Sequence, residues 1–133
     1  MKKIAVLLIF ALLLTGCSIS FTTANIKSPG MTTEIVDGMP VDTITVYPSD
    51  APQFYAYGIL DNAPDKTIVR YVWKYLTEPQ IIDEVEFESD GASGIYIYST
   101  LTIDGLWPAG DYSVEMFIDD RQEPDAVVEF SVE

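Results

Sequence analysis

The chain of 133 residues contains no histidine and a single cysteine, Cys17. Without histidine, the commonest general base, triad member and zinc ligand is missing. A lone cysteine excludes an internal disulfide, so stability outside the cell must come from packing. Basic residues are scarce: seven Lys and Arg stand against 21 Asp and Glu, a formal charge of −14. Such a chain lacks the basic footprint that nucleic-acid binding requires, and an anionic lipid surface repels it. Long hydrophobic runs are also missing. The most extended one is residues 4–14, well short of the ~20 residues a membrane-crossing helix takes. There is no internal repeat and no low-complexity segment.

What the chain does have begins with that run. Met1-Lys2-Lys3 gives a positive start, residues 4–14 an apolar stretch, and Leu14-Thr15-Gly16-Cys17 closes it. This is the order of a secretory signal. The tetrapeptide resembles the bacterial lipoprotein box, in which a large apolar residue and two small ones precede a cysteine. The resemblance implies that residues 1–16 are removed and that the Cys17 thiol takes a diacylglycerol group. Residues 17–21 then form a short tether to a membrane. Ser18 follows the cysteine where an Asp would favour inner-membrane retention in diderm bacteria. The implied location is the extracytoplasmic face of a cell membrane or an outer membrane. Two or more acyl chains hold stably where one is marginal. Without Lys2 and Lys3, five basic residues face 21 acidic ones, a formal −16.

Residues 22–133 suit one domain. From residue 43 onward, apolar and polar residues alternate with period two, the signature of half-buried strands. Ile44 and Val46 make one short run, and Phe54 to Leu60 another. Val69, Tyr71, Trp73 and Tyr75 share a face opposite Arg70 and Lys74. Val85 and Phe87 oppose Glu84, Glu86 and Glu88. Ile95, Ile97, Leu101 and Ile103 form a further apolar face. Tyr112, Val114, Met116 and Ile118 form the next, and Val128, Phe130 and Val132 the last. Ser28-Pro29-Gly30, Asp37-Gly38-Met39-Pro40 and the segment Asp61 to Asp65 read as turns. One helical turn is expected near Glu78–Ile82. About seven short strands with turns between them predict an all-β fold, an antiparallel sandwich.

Two details resemble immunoglobulin-like and fibronectin-III-like domains. Trp73 lies mid-strand where such folds bury a tryptophan. Trp107-Pro108-Ala109-Gly110-Asp111-Tyr112 resembles the corner at which a tyrosine hydroxyl bonds back to the backbone. Gly110 permits the turn. Val114 stands where antibody domains carry a cysteine, and is expected to fill that core site. The resemblance speaks to architecture and leaves function open.

Candidate sites are few. Glu84, Glu86 and Glu88 fall on one strand face, the mark of a solvated surface rather than a catalytic pair. Arg70 and Lys74 are expected to pair with them across strands. Asp61 and Asp65, and Asp119, Asp120 and Asp125, are loop carboxylates. They make weak calcium candidates, because calcium takes oxygen ligands, and Asp also caps turns through its own backbone. Tyr55 and Tyr57 on one strand, and Tyr96 and Tyr98 on another, oppose aliphatic faces and are expected to point outward as a binding surface. The expectation is a non-enzymatic, membrane-anchored binding module without cofactor, whose partner is a protein or a glycan. The alternatives are an accessory or inhibitory lipoprotein that uses its acidic Asp119–Asp125 loop, and a calcium-dependent surface module.

Overall fold

The computed structural model describes residues 22–133; the expected signal segment, lipidation site at Cys17 and tether lie outside them. Seven strands are seven residues or longer: β1 (Asn25–Thr32), β5 (Phe54–Asp61), β6 (Ala63–Tyr75), β7 (Gln80–Ala92), β8 (Ile95–Leu101), β9 (Gly110–Ile118) and β10 (Ala126–Val132). Three two-residue strands complete the set: β2 (Ile35–Val36), β3 (Met39–Pro40) and β4 (Val46–Tyr47). One sheet has the order β1-β5-β8, a second β4-β10-β9-β6-β7, and β2-β3 is a separate hairpin. The two larger sheets face each other as an immunoglobulin-like sandwich.

Period-two alternation explains the core. Val69, Tyr71, Trp73 and Tyr75 of β6 share the inner face of their sheet with Val114, Met116 and Ile118 of β9 and Phe130 of β10, all buried. Across the core they meet Phe54, Ala56 and Leu60 of β5. Trp73 Nε1 donates to Ser99 Oγ of β8 at 3.3 Å, joining the sheets. Val114 lies directly opposite Trp73 on the neighbouring strand and is fully buried. At the end where β5 begins, Phe54 stacks on Trp107 with centroids 3.7 Å apart. Tyr47, Phe130 and Tyr112 surround the same ring at 4.7, 5.0 and 5.6 Å. The Tyr112 hydroxyl donates to the Pro108 carbonyl at 2.6 Å. Burial, with Tyr75 alongside, pushes its phenol up to about 12. Gly110, at φ 140°, makes the corner in a conformation that L side chains rarely adopt.

Several sequence expectations need correction. Ser28-Pro29-Gly30 is not a turn between elements but a bulge inside β1, where the register to β5 shifts between Lys27 and Gly30. A bulge absorbs the extra residue without ending the strand, so β1 pairs on both sides of the proline. Only Val46 and Tyr47 of the expected 43–47 strand pair regularly; Ile44 makes an isolated bridge to Met31. That β4 pair runs parallel to β10, so the sandwich is not wholly antiparallel. The segment Asp61 to Asp65 is not a loop either. β5 passes into β6 through Asn62 alone, a left-handed residue at φ 52°, a conformation that asparagine tolerates. The expected helical turn near Glu78–Ile82 is absent: residues 76–79 form a turn and Gln80 already belongs to β7. Ile95 and Ile103, expected in the core, are exposed, because they sit at and beyond the ends of β8.

The β2-β3 hairpin turns at Asp37-Gly38, both with positive φ, as two-residue hairpin loops require. Asp42 ties its base. The carboxylate accepts from Thr32 Oγ1 at 2.6 Å, Thr33 N at 2.8 Å and Thr33 Oγ1 at 2.7 Å. The Thr32 hydroxyl bond leads in holding its pKa below the ordinary 3.8, and the two Thr33 bonds add to it. A carboxylate whose folded pKa is depressed contributes fully above the unfolded value and loses that contribution as pH falls through the folded one. The hairpin base should therefore stay closed above about pH 4 and loosen only below 3.8. NMR shifts of Thr32 and Thr33 should move in that window and stay flat in Asp42→Asn; a flat wild-type titration would refute the tie.

Candidate functional site

Strand direction gives the sandwich two distinct ends. One is the entry end, where the described chain begins: Arg121 Nη2 donates to the Thr22 carbonyl at 3.0 Å, and Asn25 pairs with Asp61. The β5-β6, β7-β8 and β9-β10 connections lie there. The opposite, far end holds segments 48–53, 76–79 and 102–109. They are tied together by Trp107 N to the Ser49 carbonyl at 2.9 Å and Leu76 N to the Asp111 carbonyl at 2.8 Å.

The calcium candidates all fall at the entry end, and most are engaged internally. Asp61 meets Lys27 Nζ at 3.1 Å and accepts from Ser93 Oγ at 2.9 Å. The Ser93 bond, followed by that of Lys27, holds its pKa below the ordinary value. Asp119 Oδ1 accepts from Ile68 N at 2.9 Å. Asp125 takes Arg121 Nη1 at 2.8 Å and Ile26 N at 2.5 Å. Asp65 and Asp120 are exposed. Among the described residues, no three acidic side chains gather closely enough to hold a metal ion. The Asp119–Asp125 loop is thus pinned to β1 and β6 rather than presented as a free tip.

The four tyrosines do share one face, the outer face of the β1-β5-β8 sheet, with Tyr57 opposite Tyr98 and Ile59 opposite Tyr96. They do not form an open platform. Tyr57 is only 7% exposed, because its ring lies over Gly30 and its hydroxyl meets Thr43 Oγ1 at 2.7 Å. A Cβ at position 30 would sit 2.7 Å from the ring carbon Cζ, so only glycine leaves room for this ring. Tyr96 packs edge-on against Tyr57 at 6.1 Å, and Tyr55 accepts from Gln53 Nε2. Tyr98 alone is well exposed.

The charges on the other outer face are arranged differently from the expected pairing. Glu86 stands opposite Arg70 in register, as the spacing allowed. Yet Lys74 pairs with Glu115 of β9 at 2.7 Å, and the Arg70 guanidinium lies over the Phe117 ring at 4.6 Å. The Glu84, Glu86 and Glu88 stripe is left in solvent.

A feature missed in the sequence lies at the far end. A cleft of about 240 Å³ is lined by Tyr75, Ile82, Ile103, Trp107, Pro108 and Tyr112, with Glu78 and Gln80 beside them. The aromatic rings are buried and their polar atoms satisfied: Tyr75 donates to the Ala109 carbonyl at 2.6 Å and Trp107 Nε1 to the Ala51 carbonyl at 2.7 Å. The rim of this end, beyond the cleft itself, is aliphatic: Leu106 is 69% exposed, Ile81 56%, and Leu76 and Ile103 are also exposed, of which Ile103 alone lines the cleft. Val36, Met39 and Val41 of the β2-β3 region add exposed apolar surface at this end. The signal was Leu106 itself, an apolar residue inside the turn segment Asp104-Gly105-Leu106-Trp107-Pro108.

No family model matches the chain, and no curated protein matches it. Among solved structures, an immunoglobulin-like protein of Pseudomonas aeruginosa superposes with a TM-score of 0.51 at 11% identity, covering 83% of this chain and 96% of that one. The alkylpurine DNA glycosylase AlkC of Pseudomonas fluorescens, bound to DNA containing an abasic site analog, gives 0.50 at 13% identity over 84% of this chain. The present chain spans 31% of the glycosylase chain's length. At such identities the likeness is one of fold.

Proposed function

We propose that the protein is a lipid-anchored, non-enzymatic binding module that presents its far end to another protein. The observation that carries this reading is the exposed aliphatic rim at the end opposite Thr22. Several large apolar side chains exposed at one end of a domain point to an interaction site. Anchorage at Cys17 would turn the end bearing Thr22, Asp61 and Asp125 toward the membrane and hold the rim away from it. A protein partner fits better than a glycan. Sugars stack on exposed aromatic faces, whereas here the rings are buried and the open side chains are Leu106, Ile81, Ile103 and Leu76. The same orientation speaks against the acidic loop as an inhibitory plug, because that loop would face the bilayer.

In-cell crosslinking with mass spectrometry tests the proposal. Wild-type protein should recover a reproducible protein partner, and Leu106→Asp with Ile81→Asp should lose it. Both residues are exposed, where substitutions usually change stability by no more than about 0.5 kcal/mol, so the fold should persist. Recovery of the same partner by the double variant would refute the far end as the site.

A further inference from the structure

The two sheets are unequal in width, and this leaves one side of the sandwich open. β8 ends the three-stranded sheet and β7 ends the five-stranded sheet. Between them lies a cleft of about 360 Å³ lined by Tyr71, Val85, Phe87, Tyr98, Ser99 and Thr100. Val85 faces the interior opposite Tyr71, and Phe87 stacks on the Tyr71 ring at 6.2 Å. Even so, Val85 is exposed and Phe87 only half-buried. They point toward a core that the narrower sheet does not reach.

Two independent observations, an unpartnered hydroxyl and an unequal protection of the edges, bear on what belongs in this cleft. Tyr71 is 0% exposed, yet its hydroxyl has no hydrogen-bond partner among the described residues. Buried polar groups are normally satisfied, and this hydroxyl lines the cleft, where an acceptor placed in it could meet it. The two edges are also protected unequally. Natural sheets blunt their edges with charge, proline or bulges. β7 carries Asp83, Glu84, Glu86, Glu88 and Asp90 and is bulged at Ile82, where its register to β6 shifts. β8 reads Ile-Tyr-Ile-Tyr-Ser-Thr-Leu, with no charge and no proline, and pairs with β5 without irregularity. It is a flat, uncharged edge, the kind that accepts another strand. Residues 80–101 hold those five acids and no basic residue at all.

We infer that the cleft between β7 and β8 receives an extended basic segment of a partner protein, which adds to the open edge of β8 as a fourth strand. Main-chain hydrogen bonds to β8 supply the pairing, and alternate side chains supply the selection. One set faces Tyr71, Val85 and Phe87 and is apolar, with one acceptor for the Tyr71 hydroxyl. The other set points outward from the smaller sheet and carries Lys or Arg, favoured by the field of a chain with 21 acidic and seven basic residues rather than by contact with Glu84, Glu86 and Glu88, which lie on the opposite outer face. A second copy of this chain is the poorer occupant, because joining two such sides brings ten acids together with no cation between them. The inference stands apart from the anchor and from the far-end rim.

The test uses the purified full chain in detergent with a short synthetic peptide of alternating Val and Lys as probe. The peptide should bind and protect the amides of Ile95–Leu101 from hydrogen exchange. An alternating Val and Glu peptide should not. A Val and Lys peptide N-methylated at alternate positions keeps its charge, and should lose the β8 protection. The triple variant Glu84→Gln, Glu86→Gln, Glu88→Gln should weaken binding by about three-fold at low salt and leave it unchanged at high salt, where charges on opposite faces are screened from each other, with an unchanged melting temperature because these carboxylates are exposed. Absence of β8 protection, or equal binding of the Glu peptide, would overturn the inference. So would β8 protection that rises with protein concentration alone, which would assign the edge to a second copy.

Discussion

Cells producing Cys17→Ser are expected to lose all lipid labelling of the protein and its retention in the membrane fraction, with no change in the fold. The first part follows from chemistry. A diacylglycerol group is transferred to a thiolate, and a serine hydroxyl is a far poorer nucleophile at neutral pH. Each buried methylene of an acyl chain contributes about 0.8 kcal/mol, so a chain that cannot acquire the proposed lipid would lack the proposed anchor. Nothing else in the domain replaces it, since its charge disfavours an anionic surface. The second part follows from where the core lies. Among the described residues its members run from Ala24 to Val132 and already fill the space between the two sheets. Metabolic labelling with a palmitate analogue and detergent phase partitioning report the first effect, and thermal melting reports the second. Normal labelling of Cys17→Ser would refute the anchor.

Phe54→Ala carries the largest expected cost in stability, about 3–5 kcal/mol, the range for removing a buried aromatic ring. Phe54 is the hub of the far-end cluster. It stacks on Trp107 and meets Tyr47, Tyr112 and Phe130, which come from β4, β9 and β10. One ring therefore joins the smaller sheet to the larger one in a fold that has no disulfide. Against a total of roughly 5–15 kcal/mol, such a loss should lower the melting temperature by roughly 10–20 °C. Tyr98→Ala, on an exposed ring outside the core, should stay within about 0.5 kcal/mol of wild type. Comparable shifts for the two variants would remove Phe54 from its central place. Loosening the cluster also loosens the 102–109 segment, so Phe54→Ala should weaken partner recovery at the far end as well.

The alternation of β5, β6, β9 and β10 was legible because each strand has one buried and one solvated face. Val69-Tyr71-Trp73 and Val114-Met116-Ile118 could hardly face any other way. β1 was hidden because Ser28-Pro29-Gly30 is chemically a turn, and only pairing with β5 shows it as a bulge. Asp61 to Asp65 was misread for a related reason: asparagine and aspartate mark turns, but one left-handed residue at Asn62 changes sheets without a loop. Tyr57 and Tyr98 look alike in the sequence. A glycine across the strand buries one of them, and that pairing is not local information. The sites follow the same logic. The loop apolar residue Leu106 was readable in principle, whereas the open side at β7 and β8 depends on the two sheets differing in width, which no single segment records.

The two-ended build has a mechanical consequence. Under the proposed anchorage at residue 17 and the proposed contact at the far end, load would run along the strands. Tension entering at Asn25 and leaving near Phe54 pulls β1 and β5 past each other lengthwise, across six register pairs. Ladder bonds lie perpendicular to that direction. They share the load together instead of opening one after another, as they would if the strands were peeled from one end. Survival under such a pull is set by the rate of unfolding. The bulge at Ser28-Pro29 interrupts the shared ladder, which makes it the position where the shear joint should first give way.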